Sequence, residues 1–113
     1  MELRSPDLSM NPYLAFALII SAGLDGIEAQ MELPSSVNID LFTADESITK
    51  KLEKLPDSLD AAIDCAKDSK FIKEVLGENL LNKFLNSKRA EAVKFKKAKD
   101  KIEFYRNNYF QIL

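Results

Sequence analysis

Glu2 and Arg4 have types and a spacing that could do chemistry. They flank Leu3, and on an extended segment residues two apart face the same side. A carboxylate beside a guanidinium can hold a metal ion and an anion together, because hard cations take oxygen ligands and the guanidinium forks onto oxyanions. The plainer reading of such a pair is solvated charge near a chain end. A second group, Asp57, Asp60 and Asp64, falls on one helix face. These acids could attract a cation, although acids early in a helix more often answer its macrodipole. A third group, Tyr105, Arg106 and Tyr109, could stack bases, with an amphipathic stripe on a core as the plainer alternative.

Composition excludes most other chemistry. The 113 residues contain no His, one Cys and three Gly. Without His there is no imidazole general base, no Ser–His or Cys–His pair and no His-containing zinc site in this chain. A lone Cys65 forms no internal disulfide or thiolate cage and suits a reducing compartment, so the expected location is the cytoplasm. Three glycines leave no glycine-rich phosphate cradle. The longest apolar stretch, Leu14 to Leu24, is eleven residues. It is too short for a bilayer, which takes about 20 residues. No secretory leader is legible, and a membrane partner is not expected.

Charge is uneven. Residues 57–113 hold twelve bases against nine acids, while residues 1–56 hold four against nine. The basic excess lies between Lys83 and Arg106. Such a run is sometimes a nucleic-acid footprint, but more often a solvated helix face, so nucleic acid is not an expected partner.

The elements that position these groups are helical. Pro6 keeps Ser5 away from helical angles, so residues 1–7 are extended. Asn11 is a ready N-cap, with Pro12 at the first helical position. From there to about Glu28 the chain is apolar nearly all round, which predicts a central helix with neighbours on several sides. Gly23 and Gly26 within it are expected at close backbone contacts. Residues 31–41 form a loop. Thr43 and Glu46 form a capping box for a short helix carrying Ile48, Leu52 and Leu55, ended by Pro56. Ser58 caps the next helix, with core face Leu59, Ala62, Ile63 and Ala66, and Cys65 packs beside that face. Ser69 starts another short helix, closed by Gly77. A long helix follows, with Leu80, Leu81, Phe84, Leu85, Lys88, Ala92 and Phe95 at helical spacing. From Asp100 the tail repeats an amphipathic pattern through Ile102, Tyr105, Tyr109 and Ile112. Lys94, Lys96, Lys97, Lys99 and Lys101 stay wet. The expected fold is all-α: one compact domain, residues 1–113, of five to six helices around a central apolar helix. A short extended N-terminal segment precedes the helical part, residues 12–113. A chain of this length can bury about two-thirds of its extended surface, enough for one core.

One stretch goes beyond a generic helical domain. Glu2-Leu3-Arg4-Ser5-Pro6-Asp7, then Asn11-Pro12-Tyr13-Leu14-Ala15-Phe16-Ala17, then Ala22-Gly23-Leu24-Asp25-Gly26-Ile27 closely resembles the late catalytic-domain region of glutamine synthetases. More loosely, Leu55-Pro56-Asp57-Ser58-Leu59-Asp60 and Lys88-Arg89-Ala90-Glu91 resemble the later helical segments, so the likeness spans nearly the whole chain.

The resemblance implies a C-terminal helical portion of that catalytic domain, with residues 1–7 the remnant of an active-site strand. Family members are several hundred residues long, so a truncated piece is implied. The family joins glutamate and ammonia with ATP through a γ-glutamyl phosphate, using divalent cations, Mg²⁺ or Mn²⁺. Glu2 stands at the position of a metal ligand. Arg4 stands at that of an arginine contacting glutamate or the transferred phosphoryl group. The implied partners are the rest of the synthetase chain and its oligomer. On its own the piece is expected to be inactive, to bind none of these cofactors, and to self-associate through the exposed face of the Tyr13–Ile27 helix. Phe42 aligns where some bacterial members carry an adenylylated Tyr, so that regulation is not expected. The alternative, from another class, is a small helical binding module using the basic face of residues 83–106 for nucleic acid or an acidic partner.

Overall fold

The computed structural model describes residues 2–6, 9–41, 43–50 and 52–110. The expectations placed on Asp7, Phe42 and Ile112 lie outside these residues. The described residues form six α-helices: α1 (Pro12–Glu28), α2 (Glu46–Thr49), α3 (Leu59–Asp68), α4 (Lys70–Leu76), α5 (Glu78–Lys97) and α6 (Lys101–Tyr105), the last continued by a π-helical turn, Arg106–Phe110. Among the described residues there is no strand. Residues 2–4 are extended but pair with no neighbouring strand.

Local chemistry sets most helix ends. The Asn11 side chain accepts hydrogen bonds from the N–H groups of Tyr13 (3.0 Å) and Leu14 (3.2 Å), and Pro12 opens α1. This satisfies N-terminal donors that have no partner within the helix. At the other end Gln30 takes a left-handed φ of 50°, while the Met31 N–H donates to the Gly26 carbonyl at 3.0 Å. That long back-bond closes the helix in the Schellman manner. Ser58 and Ser69 cap α3 and α4 through the N–H groups of Ala61 (3.3 Å) and Ile72 (3.2 Å).

The α2 cap differs from the expected box. Asp45, not Thr43, is the N-cap, accepting from the Ser47 N–H at 2.7 Å. Thr43 instead turns its hydroxyl back to the Asp40 carbonyl at 3.3 Å. The helix ends at Thr49, short of Leu52 and Leu55. A carboxylate is the stronger acceptor and sits one residue from the helix, so it takes the end.

The core lies where α3, α4 and α5 meet. Ile63 of α3 and Leu81 and Leu85 of α5 are buried together, with Ala66 and Ile72 packed against them, and Ala92 is buried further along α5. These three helices are consecutive in the chain. Gly77 alone links α4 to α5, at φ 74° and ψ 150°, a region that essentially only glycine occupies.

α1 forms where expected but is not central. It has no buried residue. Leu14, Ala15, Ala17, Leu18, Ile19, Ser21 and Gly26 are half-buried, and the helix contacts α4. Tyr13, Phe16, Ile20, Leu24 and Ile27 are exposed. Nothing lies within 4 Å of a Cβ built on Gly23 or Gly26, so the close packing expected there is absent. The molecule is correspondingly open, with a Cα radius of gyration of 17.0 Å against about 13 Å for a compact domain of this length. Cys65 is likewise exposed rather than packed beside the α3 core face. The reason is angular: α3 presents Ile63 and Ala66 to α5, and Cys65 sits between them on the turn facing away.

Replacing Gly77 by Ala is expected to cost about 1–3 kcal/mol, entirely from the backbone, since nothing lies within 4 Å of the added Cβ. Urea unfolding of the two chains measures it. A pH dependence is also expected at α2. The Ser47 hydroxyl and N–H bonds hold the Asp45 carboxyl below its ordinary range. A depressed folded pKa means the cap is in force above the unfolded value and is lost as pH falls through the folded one. The Ser47 amide resonance should therefore move towards its random-coil position only in acid, and Asp45→Asn should flatten that response.

Candidate functional site

Glu2 and Arg4 lie side by side on the extended arm. Arg4 Nε donates to Glu2 Oε1 at 2.6 Å. The side chains are 85% and 71% exposed, so the pair stands in water. The arm then bends at Ser5 and Pro6, which line a broad apolar cleft of about 1150 Å³ between α1 and the α3–α6 body. Glu2 and Arg4 are not part of its wall. The pairing expected from the two-residue spacing is present, but no second acid among the described residues joins it. Among the described residues no group of three or more His, Cys, Asp or Glu side chains could hold a metal ion. A divalent cation of the Mg²⁺ kind wants an octahedron of oxygens. One exposed carboxylate, already bonded to a guanidinium, does not supply it, so the residues of this chain do not by themselves fit the ion.

The α3 acids are held by α5. Asp60 meets Lys96 at 2.8 Å, and Asp64 lies 3.8 Å from Arg89. These contacts bridge the two helices that share the core. They answer bases on a neighbouring helix, where the sequence pointed to the macrodipole of their own. Lys88 bonds Glu91 at 2.9 Å in a half-buried pair. The basic run between residues 83 and 106 thus carries internal commitments, although Lys94, Lys96, Lys97, Lys99 and Lys101 are exposed as expected.

The tail adds an aromatic cluster. Phe95 of α5 packs edge-on against Phe104 (5.4 Å between centroids) and at a tilt on Tyr105 (5.3 Å), and Tyr105 packs on Tyr109 (5.9 Å). Lys101 lies over the Phe95 ring, 4.5 Å from its centroid. Its ammonium also donates to the Phe95 and Lys96 carbonyls at the open end of α5. A cation there satisfies carbonyls left over by the helix and meets the negative end of its dipole. Asp100 caps α6 through the N–H groups of Ile102 (2.8 Å) and Glu103 (3.0 Å). Sequence reasoning missed the roles of Asp100, Lys101 and Phe104. An acid followed three residues later by Glu103 was the available signal for the cap. Tyr105 and Tyr109, candidates for stacking on bases, stack on each other instead. Ile102 is exposed, so the tail stripe is carried by Phe104 and Tyr109.

Over residues 1–107 the chain matches the family described as "Glutamine synthetase, catalytic domain". It belongs to that family. It is 43% identical over 98 residues to the glutamine synthetase of Methanosarcina mazei, covering 85% of this chain and 22% of that protein. It is 40% identical over 93 residues to that of Staphylococcus epidermidis, covering 80% and 21%. With that of Methanococcus voltae it shares 33% over 114 residues, covering 99% and 25%. The chain therefore spans between a fifth and a quarter of the length of these relatives. Among the described residues no helix is long and apolar enough to cross a membrane.

The Asp60–Lys96 pair is well solvated, so its coupling is expected to be small, about 0.2–1 kcal/mol, and to fade in high salt. A double-mutant cycle with Asp60→Asn and Lys96→Met, followed by urea unfolding at low and high ionic strength, checks this.

Proposed function

We propose that this chain is the C-terminal helical part of a glutamine synthetase catalytic domain. The whole ligase would join glutamate and ammonia at the expense of ATP, through a γ-glutamyl phosphate. The observation that carries the reading is the order of Glu2, Arg4 and the Asn11-capped α1 inside a family match over residues 1–107. In this reading Glu2 contributes one oxygen ligand to a divalent cation, Mg²⁺ or Mn²⁺, completed by residues outside the chain. Arg4 contacts glutamate or the transferred phosphoryl group. Its planar fork suits negative charge developing on such oxygens. Arg4 reaches Glu2 at 2.6 Å, so the two side chains are close enough to serve one site. The partners are the remainder of a synthetase chain and its oligomer, in the cytoplasm.

The 113-residue chain alone is proposed to be inactive, because a single exposed carboxylate retains no metal. Isothermal titration with Mn²⁺, then ATP, then glutamate, beside a synthetase assay, tests this. No saturable heat and no turnover are expected, and either would overturn inactivity. The two residue roles need a complete enzyme. Exchanging this chain for the matching segment of the Methanosarcina mazei synthetase should leave activity. Glu2→Gln or Arg4→Gln in that chimera should then lower kcat at least about 100-fold. Near-unchanged rates would remove both roles.

A further inference from the structure

We propose that the tail of the chain is a strap along the apolar cleft, and that one ammonium, Lys101 Nζ, latches it shut. The strap is α6 with the π-helical turn that follows it, residues 101–110. Its Phe104, Tyr105 and Tyr109 line the cleft together with Leu14 and Leu18 of α1. Yet neither α6 nor the turn contains a buried residue. Full burial is what makes an apolar contact decisive. Without it the docking of the strap is weak, and a single surface interaction is large enough to decide it.

The contacts that hold the strap converge on the end of α5. The Phe104 and Tyr105 rings pack on Phe95. The Lys101 ammonium lies over the same ring and donates to the Phe95 carbonyl and, at 3.2 Å, to the Lys96 carbonyl. Its position in the chain is telling. Lys101 is the first residue of α6, where a cation opposes that helix's own dipole. In a released tail the charge works against α6. In the docked tail it meets the negative end of α5, carbonyls that α5 leaves over, and the face of a ring. A residue that is wrong for its own helix and right for its neighbour is specified by the docked state. Only residues 98–100 join the two helices. Ala98 bonds back to α5 and Asp100 caps α6, so the strap swings at that corner. All of this lies within residues 95–110. It depends neither on what lies beyond the chain nor on the ligase reading.

In the whole chain, Lys101→Met removes the charge and keeps the length. Nuclear Overhauser contacts between the Phe95 and Tyr105 rings should weaken, with the docked-to-released ratio falling about tenfold. The Ile63 and Leu81 methyl resonances should stay in place, because the core is elsewhere. Anilinonaphthalene sulfonate, a dye for apolar surface, should bind the opened cleft more strongly. Lys99→Met removes an equal charge from the same exposed corner and should do neither. The charge can also be put back. In a Cys65→Ser chain carrying Lys101→Cys, alkylation with bromoethylamine rebuilds an ammonium at nearly lysine length and should restore docking. Iodoacetamide places a neutral amide on the same sulfur and should not. Ring contacts that persist in Lys101→Met overturn the latch. So does equal release by Lys99→Met, or identical behaviour of the two alkylated chains. Dye binding unchanged after release overturns the strap's cover of the cleft.

Discussion

The contact of Ile63 with Leu81 and Leu85 is what the rest of the molecule depends on. It is formed by helices that follow one another in the chain, with Gly77 as the single-residue joint that folds α4 back along α5. Everything else attaches to this knot from outside. α1 leans on it through α4, the arm through residues before α1, and the tail through Phe95. Burial is concentrated there, and the remainder of the apolar surface is partly or wholly open.

Charge follows the same geometry. The acids of α3 and the bases of α5 lie across the helix pair that shares the core, so Asp60 and Asp64 face Lys96 and Arg89. At the far end Lys101 folds back over the last carbonyls of α5 and the Phe95 ring. These exposed contacts add little stability each. They do give part of the basic helix a structural job. The arm is different. Glu2 and Arg4 bond only to each other among the contacts described, on a backbone with no strand beside it. Two reactive groups held by nothing rigid are poorly organised for catalysis, because precise placement is what a site requires.

Much of the helical layout was legible in the sequence, because capping is local. Asn11-Pro12, Ser58, Ser69 and Gly77 each set a boundary through hydrogen bonds or φ angles spanning a few residues. The Asp45 cap was less legible because two acceptors, Thr43 and Asp45, compete within two residues. The position of α1 was not legible at all. An apolar helix states that it will be covered, not by what. Its surroundings depend on tertiary contacts, which a single sequence does not spell out. The pair Glu2–Arg4 was visible from spacing, and the role proposed for it rests on the motif around it, but the solvated geometry of the arm follows from the absence of a neighbouring strand among the described residues. Cys65 failed for a simpler reason: one residue along a helix is a 100° rotation, enough to move a side chain from core to water.

The consecutive order of α3, α4 and α5 also bears on how the chain acquires its structure. Their contacts join residues close in sequence, so little loop entropy is lost before the core forms. Chains dominated by such local contacts fold in microseconds to milliseconds. The segment from Ser58 to Lys97 is thus equipped to organise early and without waiting for a distant partner. α1, separated from it by residues 29–57 with α2 among them, makes contacts more distant in sequence, whose loop closure costs more.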